Sequence, residues 1–332
     1  MPRWILVLAA ALGAAGCATA SPPARVLGAL PGSGDVNGIA APADEGEPGP
    51  APAGEAKALG LFPANRGVFD GFARPVTNMF FHTPFVWNEV RPVFLYHDLP
   101  DRSLVKGGTM KVVGSQVNLA LSERFGFSLY KGGYADFDSG ALPHGKGFAD
   151  LAGGFKYQFL MDPASKWAAA GILGYEDDRM VGNHDVLAGM GGGLFDLSAA
   201  AAHDLDGVHL LGTAGLLEPR HPALNSRALH WHLHGDVEAV KGFSPLLEVN
   251  GWHYLSDARR NAGMPVPIGI EGFDYGNFGS GGVKGDDVVT VGLGFRLSLA
   301  RDLSCGAAFE RPASMRKHVF GDRFTFDLSF RF

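Results

Sequence analysis

Cysteine is almost missing from this chain: among 332 residues there are two, Cys17 and Cys305. Neither belongs to a CxxC pair, and one lies in the leader, so a disulfide framework and a zinc finger are both excluded. A surplus of one charge sign is also missing. The net charge is −6, with no basic stripe and interleaved aromatics, so nucleic acid is not a partner. Long apolar runs are absent beyond residue 20. The nearest, VLAGMGGGLFDLSAAAA, is broken by glycines and by Asp196. A membrane protein made from this chain must therefore be a closed barrel, since only helices and barrels satisfy their backbone groups in lipid. No cofactor is expected.

What is abundant is glycine, 48 residues, and phenylalanine, 24 residues. Glycine at that level argues against a mainly helical protein, because it costs roughly 1 kcal/mol per helix position. The N-terminus, MPRWILVLAAALGAAGCATA, has Arg3, an apolar run and then small residues, the pattern of a secretory signal over 1–20. Cleavage has two forms. AGC resembles a lipobox that would leave a lipidated Cys17, and Ala18-Thr19-Ala20 would suit ordinary signal peptidase. Residues 21–57 are Pro, Ala, Gly and acidic residues, a disordered linker. Residues 58–87 are aromatic, with prolines that forbid a long helix, and form a periplasmic segment or a plug.

From residue 88 the chain alternates. The end, FTFDLSFRF, places Phe324, Phe326, Leu328, Phe330 and Phe332 on one face and Thr325, Asp327, Ser329 and Arg331 on the other. FADLAGGFKYQF, DVVTVGLGFRLSLA and VVGSQVNLAL do the same. Short links (SER, MDPASK, HDLDG, VKG, ARD) alternate with longer polar ones, the arrangement of an outer-membrane barrel. The expectation is an all-β, antiparallel, up-and-down transmembrane barrel over 88–332. Its strands fall near 88–98, 109–121, 125–137, 147–160, 167–176, 186–202, 207–217, 228–240, 243–256, 286–300, 302–311 and 321–332. Twelve is the count, with ten or fourteen as alternatives because 186–217 is hard to divide. Outer-membrane lipid would be one partner. The terminal strand 324–332 also resembles the signal read by the barrel-assembly machinery, a second partner.

TNMFFHTPFVWNEVRPVFLY and the strand GFADLAGGFKYQFL resemble the diverse outer-membrane family labelled for the meta-pathway of phenol degradation. Gly147, Asp150, Leu151, Gly154, Phe155, Lys156 and Tyr157 match its G-x-x-D-φ-x-x-G-φ-K-Y strand. The resemblance implies a passive channel or transporter for small molecules, hydrophobic or aromatic ones among them, and carries no catalytic residue across.

The most chemical-looking stretch is ALHWHLHGDVEA. Period two places His230, His232, His234, Asp236 and Glu238 on one face, and the next strand adds Glu248 and Asn250. Imidazole with carboxylate suits zinc, copper or nickel, which makes His230, His232 and His234 metal candidates. The plainer alternative is that these groups fill a narrow lumen and bond one another. Arg91, Asp150, Lys156 and Arg296, with Glu89, Glu310, Asp327 and Arg331, are further lumen residues. An enzyme is not expected. The alternatives to a channel are a barrel lipid hydrolase, for which no His-x-Ser motif is present, and a sealed barrel anchoring its linker.

Overall fold

A computed structural model describes residues 69–177, 192–259, 269–276, 278–314 and 318–332. The signal over 1–20, lipidation at Cys17, the linker 21–57 and residues 58–68 lie outside the described residues.

The chain forms β1 (Glu89–Leu99), β2 (Gly108–Ala120), β3 (Phe125–Lys131), β4 (Tyr134–Ser139), β5 (Gly145–Phe148), β6 (Leu151–Asp162) and β7 (Trp167–Asp177). It continues with β8 (Leu194–Leu205), β9 (Val208–Pro219), β10 (Ala228–Val237), β11 (Phe243–Tyr254), β12 (Asp287–Ala300), β13 (Leu303–Pro312) and β14 (Arg323–Arg331). All neighbours pair antiparallel, and β1 pairs both β2 and β14, from Glu89↔Arg331 to His97↔Arg323, so the sheet closes on itself. Closure leaves no sheet edge, as a bilayer demands.

Fourteen segments make twelve wall strands. β3 and β4 both pair β2, one below the other, while β6 pairs β3 and β5 pairs β4. The break between β3 and β4 is Gly132-Gly133, at φ 155° and 143°. A Cβ on Gly133 would come within 2.6 Å of Gly114 Cα, so only glycine fits there.

The expected strands recur within a few residues, with one larger correction. The strand placed at 186–202 is Leu194–Leu205. Gly192 and Gly193 have φ 105° and 74°, which no strand takes, and 178–191 lie outside the described residues. The short links carry turn chemistry. Asp206 (φ 53°) and Gly207 (φ 98°) make the two-residue β8–β9 turn, with Asp204 Oδ1 accepting from Gly207 N at 2.6 Å.

Alternation fixes the two faces. Along β14, Phe324, Phe326 and Phe330 are exposed, whereas Thr325, Asp327 and Ser329 are buried. Val113, Phe155, Tyr157, Phe159, Leu173, Leu197, Leu233 and Leu293 extend the exposed apolar belt around the wall. A belt of that kind is stable against hydrocarbon. The buried side of every strand is the lumen, and the lumen is the core.

Candidate functional site: a filled lumen

Residues 69–88 occupy the lumen as a strap. They have no regular secondary structure, turn at Asn78–Phe81, and are almost wholly buried. Both roots lie at the short-turn mouth. Phe69, Phe72, Phe85 and Trp87 pack with Ala168, Ala202 and Leu211 there, and Asn88 O accepts from Phe332 N at 3.2 Å. The segment expected as a periplasmic segment or plug thus lies inside the barrel from residue 69 onward. Proline at 75 and 84 and a lack of periodicity deny it helix or strand, leaving its backbone groups to be met by side chains.

The wall supplies those side chains. Glu248 accepts from Val76 N and Thr77 N, both at 2.8 Å, and from Thr77 Oγ1. Its Oε1 also takes His234 Nδ1 at 2.8 Å. Asp236 accepts from Ala73 N at 3.3 Å, His209 Nδ1 at 2.8 Å and His234 Nε2 at 3.0 Å. His234 thus lies between the two carboxyl groups, with one ring nitrogen directed at each.

Strap carbonyls meet donors. Arg296 Nε reaches Arg74 O at 3.1 Å, Arg91 Nη2 reaches Val76 O at 3.3 Å, and Lys156 Nζ reaches Phe85 O at 3.1 Å. Arg91 and Arg296 share Asp327, at 2.5 and 2.8 Å. Glu89 faces Arg74 Nε at 3.3 Å and accepts from Asn118 Nδ2 at 2.8 Å. Each of these buried charges is thereby paired or bonded, the condition for keeping it in a low-dielectric interior.

The histidine row is hydrogen-bonded along its length. Asn250 Nδ2 donates to Thr77 Oγ1 (2.9 Å) and Glu310 Oε1 (2.7 Å), so Asn250 Oδ1 accepts from His232 Nδ1 (2.9 Å). His232 Nε2 then accepts from His230 Nδ1 at 3.0 Å. His230 Nε2 faces Ser198 Oγ at 3.1 Å and Asp196 Oδ1 at 3.2 Å, and Asp196 Oδ2 takes His82 Nε2 of the strap at 2.7 Å. All six ring nitrogens of His230, His232 and His234 are engaged, so they do not converge on a common point. Among the described residues no group of three His, Cys, Asp or Glu is placed to hold a metal ion.

Most of the expected lumen residues meet here: Arg91, Asp150, Lys156, His230, His232, His234, Asp236, Glu248, Asn250 and Arg296 are all buried inside. Glu238 is a correction. β10 ends at Val237, and Glu238 is exposed in the turn, where its Oε1 accepts from Gly242 N at 2.6 Å. Asp196, Ser198, His209 and Arg323 escaped the sequence pattern, as did the strap's own Arg74, Thr77 and His82. The one available signal was the pair of lumen-facing glycines, Gly292 and Gly294, in TVGLGFR. A Cβ on Gly292 would come within 2.6 Å of Thr77 Cγ2, so that wall position is empty because the strap fills it.

A second segment, 269–276 with 278–281, covers the long-loop half. Arg323 bridges to Asp274 (2.8 and 3.0 Å), Asp274 also takes Met79 N at 3.2 Å, and Tyr275 OH donates to Gly132 O at 2.8 Å. Glu271 accepts from Ser226 Oγ, Phe278 N and Ser280 N. Burial nevertheless pushes its carboxyl above the ordinary range. Between strap and segment lies a cavity of about 30 Å³, room for a water or two, lined by Phe80, Lys131, Glu176, Trp252, Tyr254 and Phe273.

No protein-family model matches the chain, and no curated protein matches it. The resemblance to the phenol-degradation family therefore stands without support at the level of that family. Solved structures do match. An outer-membrane channel from Pseudomonas putida F1 is similar over 78% of this chain and 100% of its own, at TM-score 0.53 and 13% identity. The NanC porin (74% and 98%, TM-score 0.44, 7% identity) is more distant. So is the translocator domain of the autotransporter NalP from Neisseria meningitidis (80% and 92%, TM-score 0.44, 12% identity). At such identities the likeness is one of fold. That fold, with its closed wall and apolar belt, is the bacterial outer-membrane barrel, and the outer membrane is where the chain resides.

Proposed function

We propose that this barrel is a passive outer-membrane channel for small solutes whose own residues 69–88 hold it shut. One observation carries the proposal: the wall is lined with charged and polar side chains, and what occupies the space is a strap rooted at one mouth rather than wall side chains meeting across it. A wall built only to be a sealed anchor would gain by filling its interior with apolar residues, because a buried ion pair is commonly no better than a well-packed hydrophobic substitute.

The narrower expectation of hydrophobic or aromatic solutes has in its favour the cavity's aromatic lining. Against it stand Arg91, Lys156, Glu248, Arg296 and Asp327 on the wall, which favour polar solutes. A lipid hydrolase finds a serine beside a histidine in Ser198 and His230, but both face the filled lumen, away from lipid.

The test is single-channel recording of the full chain in planar bilayers. Glu248→Gln removes the anion that grips Val76 N and Thr77 N. Hydrogen bonds to a charged group contribute about 1.5–3 kcal/mol each, so the open fraction should rise by about tenfold or more. A barrel that stays silent as wild type, as Glu248→Gln, and with the loop segment at the other mouth also loosened by Tyr275→Phe, while folded, would rule the channel out.

A further inference from the structure

The strap is held in an unusual manner for a plug. Apart from Asn88 O at its root, which accepts from Phe332 N, its main chain makes no backbone-to-backbone bond to the wall among the described residues. Four of its N–H groups, on Ala73, Val76, Thr77 and Met79, go to carboxylates of Asp236, Glu248 and Asp274. Five of its carbonyls, on Arg74, Val76, His82, Pro84 and Phe85, go to Arg296, Arg91, Thr213 Oγ1, Gln158 Nε2 and Lys156. The wall, together with Asp274 of the loop segment, thus reads amide N–H with anions and amide C=O with cations and neutral donors. Groups of this kind recognise a polypeptide backbone without regard to most of its side chains.

The geometry points to the lumen being a binding site for short peptides that double back on themselves, with the strap as its resident occupant. This rests on the strap being displaceable, as the channel proposal holds. The side-chain requirements are few and local. Gly292 faces Thr77 with no room for more, and a Cβ on Gly306 would stand 3.0 Å from Val76 Cγ2. The two residues bound to Glu248 must therefore be small or β-branched. Phe80 packs with Tyr130, Leu194 and Leu217, and Phe81 rests on His232 at 5.6 Å, so apolar residues three to five places further on add affinity.

The experiment uses the full chain carrying Val76→Pro and Thr77→Pro, which strips the strap of both N–H groups that Glu248 holds and leaves the wall intact. Folding is verified by heat-modifiable electrophoretic mobility. A fluorescent peptide with the sequence of residues 72–83, FARPVTNMFFHT, is titrated in detergent and followed by anisotropy. It should bind the variant at least tenfold more tightly than the wild-type chain, whose strap competes. A peptide of altered sequence that keeps small residues at the two Glu248 positions and the aromatic pair should bind within tenfold of it. N-methylation of the two amides, or Glu248→Gln in the variant, should cost at least tenfold. Absence of binding to the folded variant overturns the peptide site, as does binding restricted to the strap's own sequence, which would make the contact a private latch. If the double variant does not fold, Thr77→Pro alone is titrated with the same expectations. Conductance of the variant without peptide binding would sink this inference and leave the channel standing. Peptide binding without conductance would do the reverse.

Discussion

At the scale of single residues, Glu248 and Gly292 divide the work of seating the strap. One supplies charge where Val76 and Thr77 present N–H groups, and the other supplies the absence of a side chain. Gly292→Val should push Thr77 off the wall and raise the open fraction without altering the lipid face, readable in the same bilayer recordings. Glu271 behaves differently. Its folded-state pKa is raised, because burial disfavours the anion. Its contribution to stability is therefore complete below the ordinary carboxylate pKa and lost as pH rises through the raised value. The gap in unfolding temperature between the wild-type chain and Glu271→Ala should accordingly be wider at about pH 4 than at about pH 8. An equal gap at both would contradict this.

At the scale of elements, each strand is a two-sided object, and the side that meets hydrocarbon tolerates no charge. Leu293 sits mid-strand in β12, 66% exposed, between Leu247 and Phe309. Leu293→Arg should cost roughly 2–4 kcal/mol of folding stability in bilayers, the range for arginine near the midplane of a barrel wall. Equilibrium folding into vesicles measures it. The same two-sidedness made the strands legible in the sequence. Phe324 to Phe330 and Val289 to Leu299 announce their period directly, whereas the stretch before Leu194 does not, because glycines with positive φ carry no periodic signal. Glu238 was misplaced for a related reason: period two continues on paper past Val237, but the turn ends it. Ser198 beside His230 and His82 beside Asp196 are cross-element contacts set by barrel register and by the strap's path, which no local pattern records.

At the scale of the whole molecule, two occluders lie in series: the strap on the short-turn side and the segment around Asp274 on the long-loop side. Glu248→Gln loosens the first, and Tyr275→Phe loosens the second by removing its bond to Gly132 O. Flow through constrictions in series is limited by the tighter one, so the double variant should conduct more than the sum of the two single variants. Simple additivity would place both residues at one gate. The strap's path has a further consequence. Phe69 and Asn88 sit at one mouth, so the inserted piece is a bight of rope, not a threaded end. Withdrawing it drags no terminus through the bore and leaves no knot behind. On the gating proposed above, retraction and return could then repeat indefinitely, each paced by how fast the polar bonds along the strap let go.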